Sequence, residues 1–393
     1  MNITDNTFEI AVKTMAGLED VLIAELKELG AKNIKRGTRI VHVTGDKKLL
    51  YSINYRCRTA LRVLVPIKRF QIYTEKNFYK RIHNIEWSNY FDTSKTFAID
   101  EVVTNSIFRH TKFAAYRTKD AIVDYFRDKT DERPSIDTSD PDIRINLHVI
   151  NDTATISLDS SGSSLHKRGY KTAIGEAPLN EVLAAGIIKL TGWNGKSNFI
   201  DPMCGSGTFA IEAAMISQNI APGFYRESFG FQKWLDFNKD IWTEVLTESA
   251  DAIKDSKCKI FASDISWQAL KTAQENISNA KLSKDIEVKQ CNFFDLQAPY
   301  KEGTIIMNPP YDERLKSDDI IDLYKNTGDT FKNNFAGYTA WILSGNLQAL
   351  KLIGLRSSKR IILFNGGIET RLAKYEMYKG TKRTNIKEDS EEK

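Results

Sequence analysis

The fold of this chain is decided by the stretch Phe199-Ile200-Asp201-Pro202-Met203-Cys204-Gly205-Ser206-Gly207-Thr208, a short apolar strand and a glycine turn that open an alanine-rich helix. Gly205 and Gly207 carry no side chain, so a ligand can approach the backbone closely. The helix behind them offers free N–H groups and the positive end of its dipole. The Lys-Ser/Thr pair of a phosphate-binding P-loop is missing, so nothing favours a nucleoside triphosphate. A tight strand–helix turn without a ligand is the plain alternative.

A second apolar strand, residues 259–264, ends in the carboxylate of Asp264. An acidic residue at the tip of the second strand of a doubly wound sheet usually binds ribose hydroxyls. The interval from Gly207 to Asp264 is much longer than the roughly 20 residues of the dinucleotide pattern. The excess lies around residues 217–258 and is rich in aromatic residues. We interpret it as an inserted cap, and packing is the default expectation for its rings.

A third strand, residues 304–307, is followed by Asn308, Pro309, Pro310 and Tyr311. The oxygens of Asn308 and Pro309 can each accept one hydrogen of an exocyclic amine, while Tyr311 can stack on a planar base. Such acceptors draw the nitrogen lone pair out of conjugation, so that the nitrogen can attack an electrophile. Taken alone, the tetrapeptide fits a proline-rich turn with a surface tyrosine about as well.

Length and composition bound the remaining possibilities. The chain has 393 residues with 41% hydrophobic content, which suits two or three domains with sizeable cores. No stretch approaches the ~20 apolar residues of a membrane span, and residues 1–5 lack the pattern of an export signal. The four cysteines form no C-x-x-C pair, so neither a zinc site nor a disulfide framework is expected. We expect a cytoplasmic protein with no bound metal and no membrane partner.

The positive charge is concentrated in the N-terminal half. Residues 27–85 contain 15 Lys and Arg against 3 Asp and Glu, and aromatic residues are interspersed among them. Such a block is typical of a surface that binds a polyanion, although a solvated basic face would have the same composition. The same half alternates strand-like and helix-like segments in two successive α+β units. Near residue 360 the chain predicts a terminal hairpin with its turn at residues 365–367.

The motifs at residues 201–208 and 308–311 resemble motifs I and IV of class I S-adenosylmethionine-dependent methyltransferases that act on amino groups. The segments at residues 157–162, 165–170 and 176–181 are similar to those of a narrower group, the bacterial THUMP-containing 23S rRNA guanine-N2 methyltransferases. The resemblance covers nearly the whole chain. It implies a Rossmann-like class I methyltransferase α/β sheet with seven strands and a terminal antiparallel hairpin, preceded by α+β ferredoxin-like and THUMP domains. The implied domains are residues 1–67 (ferredoxin-like), 68–162 (THUMP, RNA-binding) and 163–393 (methyltransferase, with the insert at about 217–258).

The resemblance also assigns site residues. The catalytic ones are Asn308, Pro309, Pro310 and Tyr311. S-adenosylmethionine is expected to bind through Asp201, Pro202, Met203, Cys204, Gly205, Ser206, Gly207, Thr208, Asp264, Ile265, Asn292, Phe293 and Asn308. Asn292 stands where related enzymes usually carry Asp to bind the adenine amine, so Asp295 is an alternative for that contact. Asp312 stands where a glycine is usual.

RNA contacts are expected at the start of the long helix near residue 112 and at the junction between the halves. The candidates are Arg109, His110, Lys112, Lys119, His166, Lys167 and Arg168. A surface-polar role is an equal alternative for each of the helix residues, and the junction could simply solvate a hinge.

The expected reaction is methyl transfer from S-adenosylmethionine to the exocyclic N2 amine of a guanine in RNA, with 23S rRNA as the favoured partner. A tRNA guanine-N2 enzyme is the nearest alternative. The tetrapeptide also resembles that of DNA adenine-N6 methyltransferases and of glutamine methyltransferases that act on release factors, but the basic front half favours RNA. A non-catalytic RNA chaperone that kept the fold is the remaining class.

Overall fold

The structure, a computed structural model, describes residues 7–108, 110–171, 179–310 and 317–378. In its N-terminal part the elements are β1 (Phe8–Lys13), α1 (Glu19–Glu28), β2 (Lys32–Arg36), β3 (Ile40–Gly45), α2 (Lys47–Arg56), β4 (Arg62–Gln71), α3 (Glu75–His83), β5 (Phe97–Thr104), α4 (Thr111–Thr130), β6 (Ile143–Ile150) and β7 (Thr153–Asp159). They are followed by α5 (Glu181–Leu190), β8 (Phe199–Asp201), α6 (Thr208–Ser217), α7 (Lys239–Asp251), β9 (Ile260–Asp264), α8 (Trp267–Asn279), β10 (Ile286–Gln290), β11 (Thr304–Met307), α9 (Ser317–Asn334), β12 (Thr339–Ser344), β13 (Lys359–Asn365) and β14 (Ile368–Glu376).

These elements form two compact units. The first contains the described residues up to Gly169 together with Ala221–Ala252. The second contains Tyr170–Ile220 and the described residues from Ile253 onward. The chain therefore passes between the units three times.

The first unit is built on one seven-stranded sheet with the order β2-β3-β1-β4-β7-β6-β5. Strand β4 pairs with β1 through residues 62–64 and with β7 through residues 64–71. Because β4 crosses the proposed boundary at residue 67, the ferredoxin-like and THUMP segments share this sheet. Their division at that boundary stays a proposal. Alternate residues of β1, such as Ile10 and Val12, are fully buried in the core on one side of the sheet.

The aromatic insert packs inside the first unit. The ring of Phe231 stacks on that of Tyr51 in α2, with centroids 4.2 Å apart and planes inclined by 19°. Trp242 of α7 meets Tyr55 edge-on, with centroids 5.4 Å apart. Lys48 of α2 is ion-paired with two glutamates of α7, Glu244 at 2.6 Å and Glu248 at 2.7 Å.

The insert, interpreted from the sequence as an inserted cap, packs against α2 in the first unit. The rings of Phe231 and Trp242 are buried against α2, so packing is their role, whereas Phe224 of the same insert is 44% exposed. The expectation of packing is confirmed for Phe229, Phe231, Trp234 and Trp242, each less than a tenth exposed.

The second unit contains the predicted Rossmann-like sheet, with the order β10-β9-β8-β11-β12-β14-β13. Strands β8 to β12 are parallel to one another, while β14 runs antiparallel to β12 and β13. The seven strands and the terminal antiparallel hairpin are thereby confirmed. The chain builds outward from β8 to β9 and β10, then returns to place β11 on the other side of β8. Ligands bind beyond the carboxyl ends of the strands at such a switch point.

Among the described residues, no helix is both long enough and apolar enough to cross a bilayer.

Candidate active site

The glycine turn links the end of β8 to the start of α6. Gly205 and Gly207 both adopt positive φ, 53° and 79°, a region that L side chains rarely occupy. A Cβ at Gly207 would lie 3.2 Å from Cβ of Ala273 on α8. A Cβ at Gly205 would meet no atom within 4 Å, so that residue faces open space. Gly207 is thus required for helix packing, whereas Gly205 keeps the turn open toward a ligand.

Asp264, at the carboxyl end of β9, holds this turn in place. Its Oδ2 accepts a hydrogen bond from the Gly205 N–H at 2.9 Å, and its Oδ1 accepts one from the Ser266 N–H at 2.9 Å. Each carboxylate oxygen keeps a further lone pair. Asp264 can therefore position the turn and bind hydroxyl groups at the same time.

Two side chains of the turn, those of Asp201 and Cys204, have raised pKa values. Asp201 is 1% exposed, and burial, followed by the charge of Asp264, raises its pKa well above the usual range. Burial, followed by the charges of Asp201 and Asp264, also raises the pKa of the Cys204 thiol well above its usual range. A raised pKa disfavours the thiolate of Cys204, which is the form that a nucleophile requires.

A cavity of about 840 Å³ opens at the switch point. The predicted stretches converge on its wall: residues 202–206 and Thr208 from the glycine turn, Asp264 and Ile265 after β9, Asn292 and Phe293 after β10, and residues 308–310 after β11. Asp201 and Gly207 lie in the same turn but are not part of the wall. The volume suits a drug-sized or nucleoside-sized ligand.

Asn292 and Phe293 contribute in different ways. The Asn292 Oδ1 accepts a hydrogen bond from the Phe294 N–H at 3.1 Å and so caps the short helical turn at residues 293–295. The ring of Phe293 is 2% exposed and packs against Phe331 and Phe335. Asp295, the alternative for the adenine contact, is exposed and does not line the cavity.

Asn308 follows β11 directly and lies on the cavity wall. Its Oδ1 is buried and accepts no hydrogen bond from any residue that the structure describes. A buried carbonyl without a donor costs about 1–3 kcal/mol, which an incoming N–H group would recover. Pro309 is buried and Pro310 exposed, and both line the cavity. Tyr311 and Asp312 lie outside the described residues.

The candidate RNA contacts on α4 belong to the first unit. His110 immediately precedes the helix and is exposed, as is Lys112. Lys119 is half-buried and lies 2.8 Å from a carboxylate oxygen of Asp120. Arg109 lies outside the described residues.

The junction candidates divide into exposed and buried residues. Lys167 is exposed, and His166 is half-buried with its Nδ1 2.8 Å from the Ser164 hydroxyl. Arg168 is 1% exposed and donates hydrogen bonds to the carbonyls of Leu165 at 2.8 Å and Arg58 at 2.6 Å. The burial of Arg168 and these bonds to the protein backbone do not support an RNA contact for its guanidinium.

Sequence reasoning missed two contributions. Arg226 of the insert donates hydrogen bonds to the carbonyls of Ser161, Ser163, Ser164 and Lys167 and so fixes the junction. Burial, followed by the charge of Arg168, lowers the pKa of Arg226 to about 10. At the other end of the chain, Asn365 and Gly366 of the β13–β14 turn line the cavity. The glycine pair at residues 366–367 marked that turn, but no local pattern placed it at the site.

Three family models match successive parts of the chain: the RlmL ferredoxin-like domain at residues 9–64, the THUMP domain at 73–159 and the RMKL-like methyltransferase domain at 168–374. A Synechocystis protein whose name describes it as a candidate RNA methyltransferase is 39% identical over 92% of this chain and 95% of its own length. The ribosomal RNA large subunit methyltransferase K/L of Psychromonas ingrahamii is 41% identical over 93% of this chain. The chain spans about half the length of the K/L relatives, 49% in that case.

A solved structure has the same fold along nearly the whole chain. SMU.472, described as a methyltransferase in complex with SAH, superposes with a TM-score of 0.86 at 28% identity and covers 96% of this chain and 100% of its own. SAH is what remains of S-adenosylmethionine after methyl transfer. These matches confirm the resemblance drawn from the motifs, the fold class and the predicted cofactor.

Proposed function

We propose, from the premise that the chain belongs to the RMKL-like methyltransferase family, that it methylates the exocyclic N2 amine of a guanine in 23S rRNA. The observation that carries the proposal is the buried Asn308 Oδ1, which lies on the wall of the same cavity as the glycine turn and has no donor among the described residues. An amine nitrogen that carries two hydrogens fits that oxygen.

The residues of the cavity fit the cofactor. Gly205 faces open space, so a ligand can lie against its backbone without meeting a Cβ. Asp264 has lone pairs left for ribose hydroxyls, and Asn292 can accept from the adenine amine through the remaining lone pair of its Oδ1. S-adenosylmethionine, when bound, supplies a methyl group activated by a sulfonium.

The residues after β11 orient the target amine. Asn308 accepts one amine hydrogen and the Pro309 carbonyl accepts the other. Proline has no N–H group, so this part of the wall presents acceptors rather than competing donors. Tyr311 is expected to stack on the base. The methylated ammonium is acidic enough to lose its proton to water, so the chain needs no dedicated base, and alignment is its main contribution.

RNA is the proposed substrate because of the first unit and because of the relatives. His110, Lys112 and Lys167 are exposed cations or hydrogen-bond donors in a THUMP-containing unit. The K/L relatives are named for the large ribosomal subunit RNA. Since N2 of a paired guanine is buried in the stack, the target base must be single-stranded or extruded.

The test is nucleoside mass spectrometry after incubation of the purified chain with labelled S-adenosylmethionine and deproteinised 23S rRNA from cells that lack the protein. We expect N2-methylguanosine among the nucleosides of the 23S rRNA. Parallel reactions contain tRNA and adenine-bearing duplex DNA. Preferred methylation of tRNA or formation of N6-methyladenine would overturn the substrate assignment, and transfer to no nucleic acid would overturn the proposal as a whole.

A further inference from the structure

One side of the first unit's sheet carries polar side chains. Along β1 the residues Phe8, Ile10 and Val12 are buried in the core, whereas Glu9 and Lys13 are half-buried. Ala11, between them on the same side as Glu9 and Lys13, is also buried. Because side chains alternate along a strand, Glu9 and Lys13 lie on the side opposite the core. We call this side the open face.

Four basic residues lie on the open face: Lys13, His42, Arg69 and His148, called here the basic cluster. Lys13 is paired with Arg62, seven residues from Arg69 on β4, and the charges of Lys13, Arg69 and His42 all act on the His148 ring. His42 is paired with Ala11, two residues from Lys13 on β1. Arg69 of β4 and His148 of β6 are both paired with Thr155 of β7, one on each side. The cluster has members on β3, β1, β4 and β6, and Thr155 of β7 lies between Arg69 and His148.

The acidic residues of the open face are already engaged. Glu9 Oε1 lies 2.9 Å from His42 Nδ1 and 3.7 Å from Arg69 Nη2, so one carboxylate serves two basic groups. Asp159 is paired with Arg62, and Asp100 lies 3.7 Å from Arg62 and 2.9 Å from Arg144.

Two members of the cluster, Lys13 and His148, have no such partner among the described residues. Within the part of the chain that the structure describes, neither the Lys13 ammonium nor the His148 ring makes a hydrogen bond or an ion pair, although Asp159 and Asp100 are near enough to attract Lys13 weakly. The face thus carries more fixed positive than negative groups.

The energetic cost of this arrangement is visible in the acidity of both groups. Burial lowers the pKa of Lys13, and the charge of Arg62 lowers it further, against the attraction of the two aspartates. Burial also lowers the pKa of His148, followed by repulsion from Lys13, Arg69 and His42. An anion held between them would oppose both effects, since a nearby negative charge favours the protonated forms.

We propose that the basic cluster binds one phosphate group of the RNA backbone on the open face of the sheet. A phosphate group presents several acceptor oxygens, and the Lys13 ammonium, the Arg69 guanidinium and a histidine N–H are the donors that the cluster offers to them. Arg69 is 56% and His42 32% exposed, so the site is accessible from solvent. The inference rests on the proposed function to the extent that it takes RNA as the substrate. It adds a contact far along the chain from the α4 and junction residues.

The experiment is filter binding of deproteinised 23S rRNA at a series of salt concentrations, with Lys13→Gln and Arg69→Gln compared with the unchanged protein. Each lost phosphate contact reduces the slope of log affinity against log salt by about 0.7–0.9. We expect that reduction in both variants, and recovery in Lys13→Arg. The matched control is Lys332→Gln, an exposed lysine of the second unit that is paired with Asp329 at 3.1 Å, and its slope should not change.

Near-UV circular dichroism and urea denaturation verify that the first unit of each variant is folded. Arg69→Gln is less prone to misfold than Lys13→Gln, because the Arg69 side chain is largely exposed. Unchanged slopes in both cluster variants would overturn the phosphate site, even if methylation proceeds normally. A reduced slope in a protein that methylates no guanine would instead leave the site standing and remove the proposed function, so the two failures are distinguishable.

Discussion

Tyr51 and Phe231 stack with their ring centroids 4.2 Å apart, although Tyr51 belongs to the N-terminal part of the chain and Phe231 to the insert that follows the glycine-turn helix. The Tyr51 hydroxyl also accepts a hydrogen bond from the Asn238 N–H at 3.1 Å. Tyr51 therefore joins α2 to the insert through a stacked contact with Phe231 and a hydrogen bond from Asn238.

Replacement of Phe231 by alanine should lower the free energy of unfolding by about 3–5 kcal/mol, because the ring is fully buried. A double-mutant cycle with Tyr51→Ala should give a coupling of about 0.5–1.5 kcal/mol for the stacked pair. Urea denaturation measures both. Phe224→Ala is the control, since that ring is 44% exposed in the same insert, and it should change stability by less than about 0.5 kcal/mol. A coupling of zero would contradict the stacked contact.

Asn308→Ala should reduce turnover about 100- to 1,000-fold and leave the affinity for S-adenosylmethionine within about twofold. The reason is that the alanine removes the acceptor for the target amine while the glycine turn and Asp264 are unchanged. Single-turnover kinetics and calorimetry separate the two quantities. Asn308→Asp keeps an acceptor oxygen and should retain more activity than the alanine variant. Parallel loss of binding and turnover would assign Asn308 a role in folding.

Asp201 should make the stability of the cofactor-free protein depend on pH. Its pKa in the folded state is raised, mainly by burial, above the unfolded value near 3.9. As pH rises above about 4, the unfolded state loses this proton first, so the free energy of unfolding falls until the folded group titrates as well. Asp201→Asn cannot ionise and should flatten that fall, which gives a variant more stable than the unchanged protein at neutral pH.

Urea denaturation between about pH 4 and pH 8 tests this pH dependence. Asp295→Asn, at an exposed position after β10, is the matched control and should leave the profile as it is. A profile of Asp201→Asn parallel to that of the unchanged protein would refute the assignment.

Arg168→Ala should lower the stability of the protein, whereas Lys167→Ala should leave stability almost unchanged. Loss of Arg168 removes the donor from two backbone carbonyls in the interior and should cost about 1–3 kcal/mol of stability. Lys167 is exposed, so its loss should change stability by less than about 0.5 kcal/mol. As a proposed RNA contact, its loss should weaken the binding of 23S rRNA. Urea denaturation measures the stability of both variants, and filter binding measures their affinity for 23S rRNA. A stable Arg168→Ala variant with weakened RNA binding would contradict the backbone-binding role of Arg168.

The catalytic sheet and its cavity could be predicted because their signals are local. The glycine turn, Asp264 and Asn308 each follow directly after an apolar strand, and the carboxyl ends of neighbouring parallel strands meet at one edge. The pattern therefore specifies where these residues gather even though it says nothing about the distances between them.

The parts that could not be predicted depend on contacts between distant segments. Nothing around Phe231 or Trp242 shows that their partner is α2 rather than the catalytic sheet. Arg168 and Lys167 are adjacent and equally charged, yet one is buried and the other exposed. The turn at Asn365 reaches the cavity only because β14 inserts between β12 and β13.

The three passages of the chain between its units constrain the order in which the protein can fold during synthesis. Strand β8 and helix α6 emerge from the ribosome before residues 221–252, which complete the first unit. Tyr51 and Tyr55 must therefore wait, uncovered by their partners, until part of the second unit has already been synthesised. A nascent chain released at residue 169 would present that aromatic surface to its neighbours, which makes premature termination there a route to aggregation rather than to an independent RNA-binding fragment.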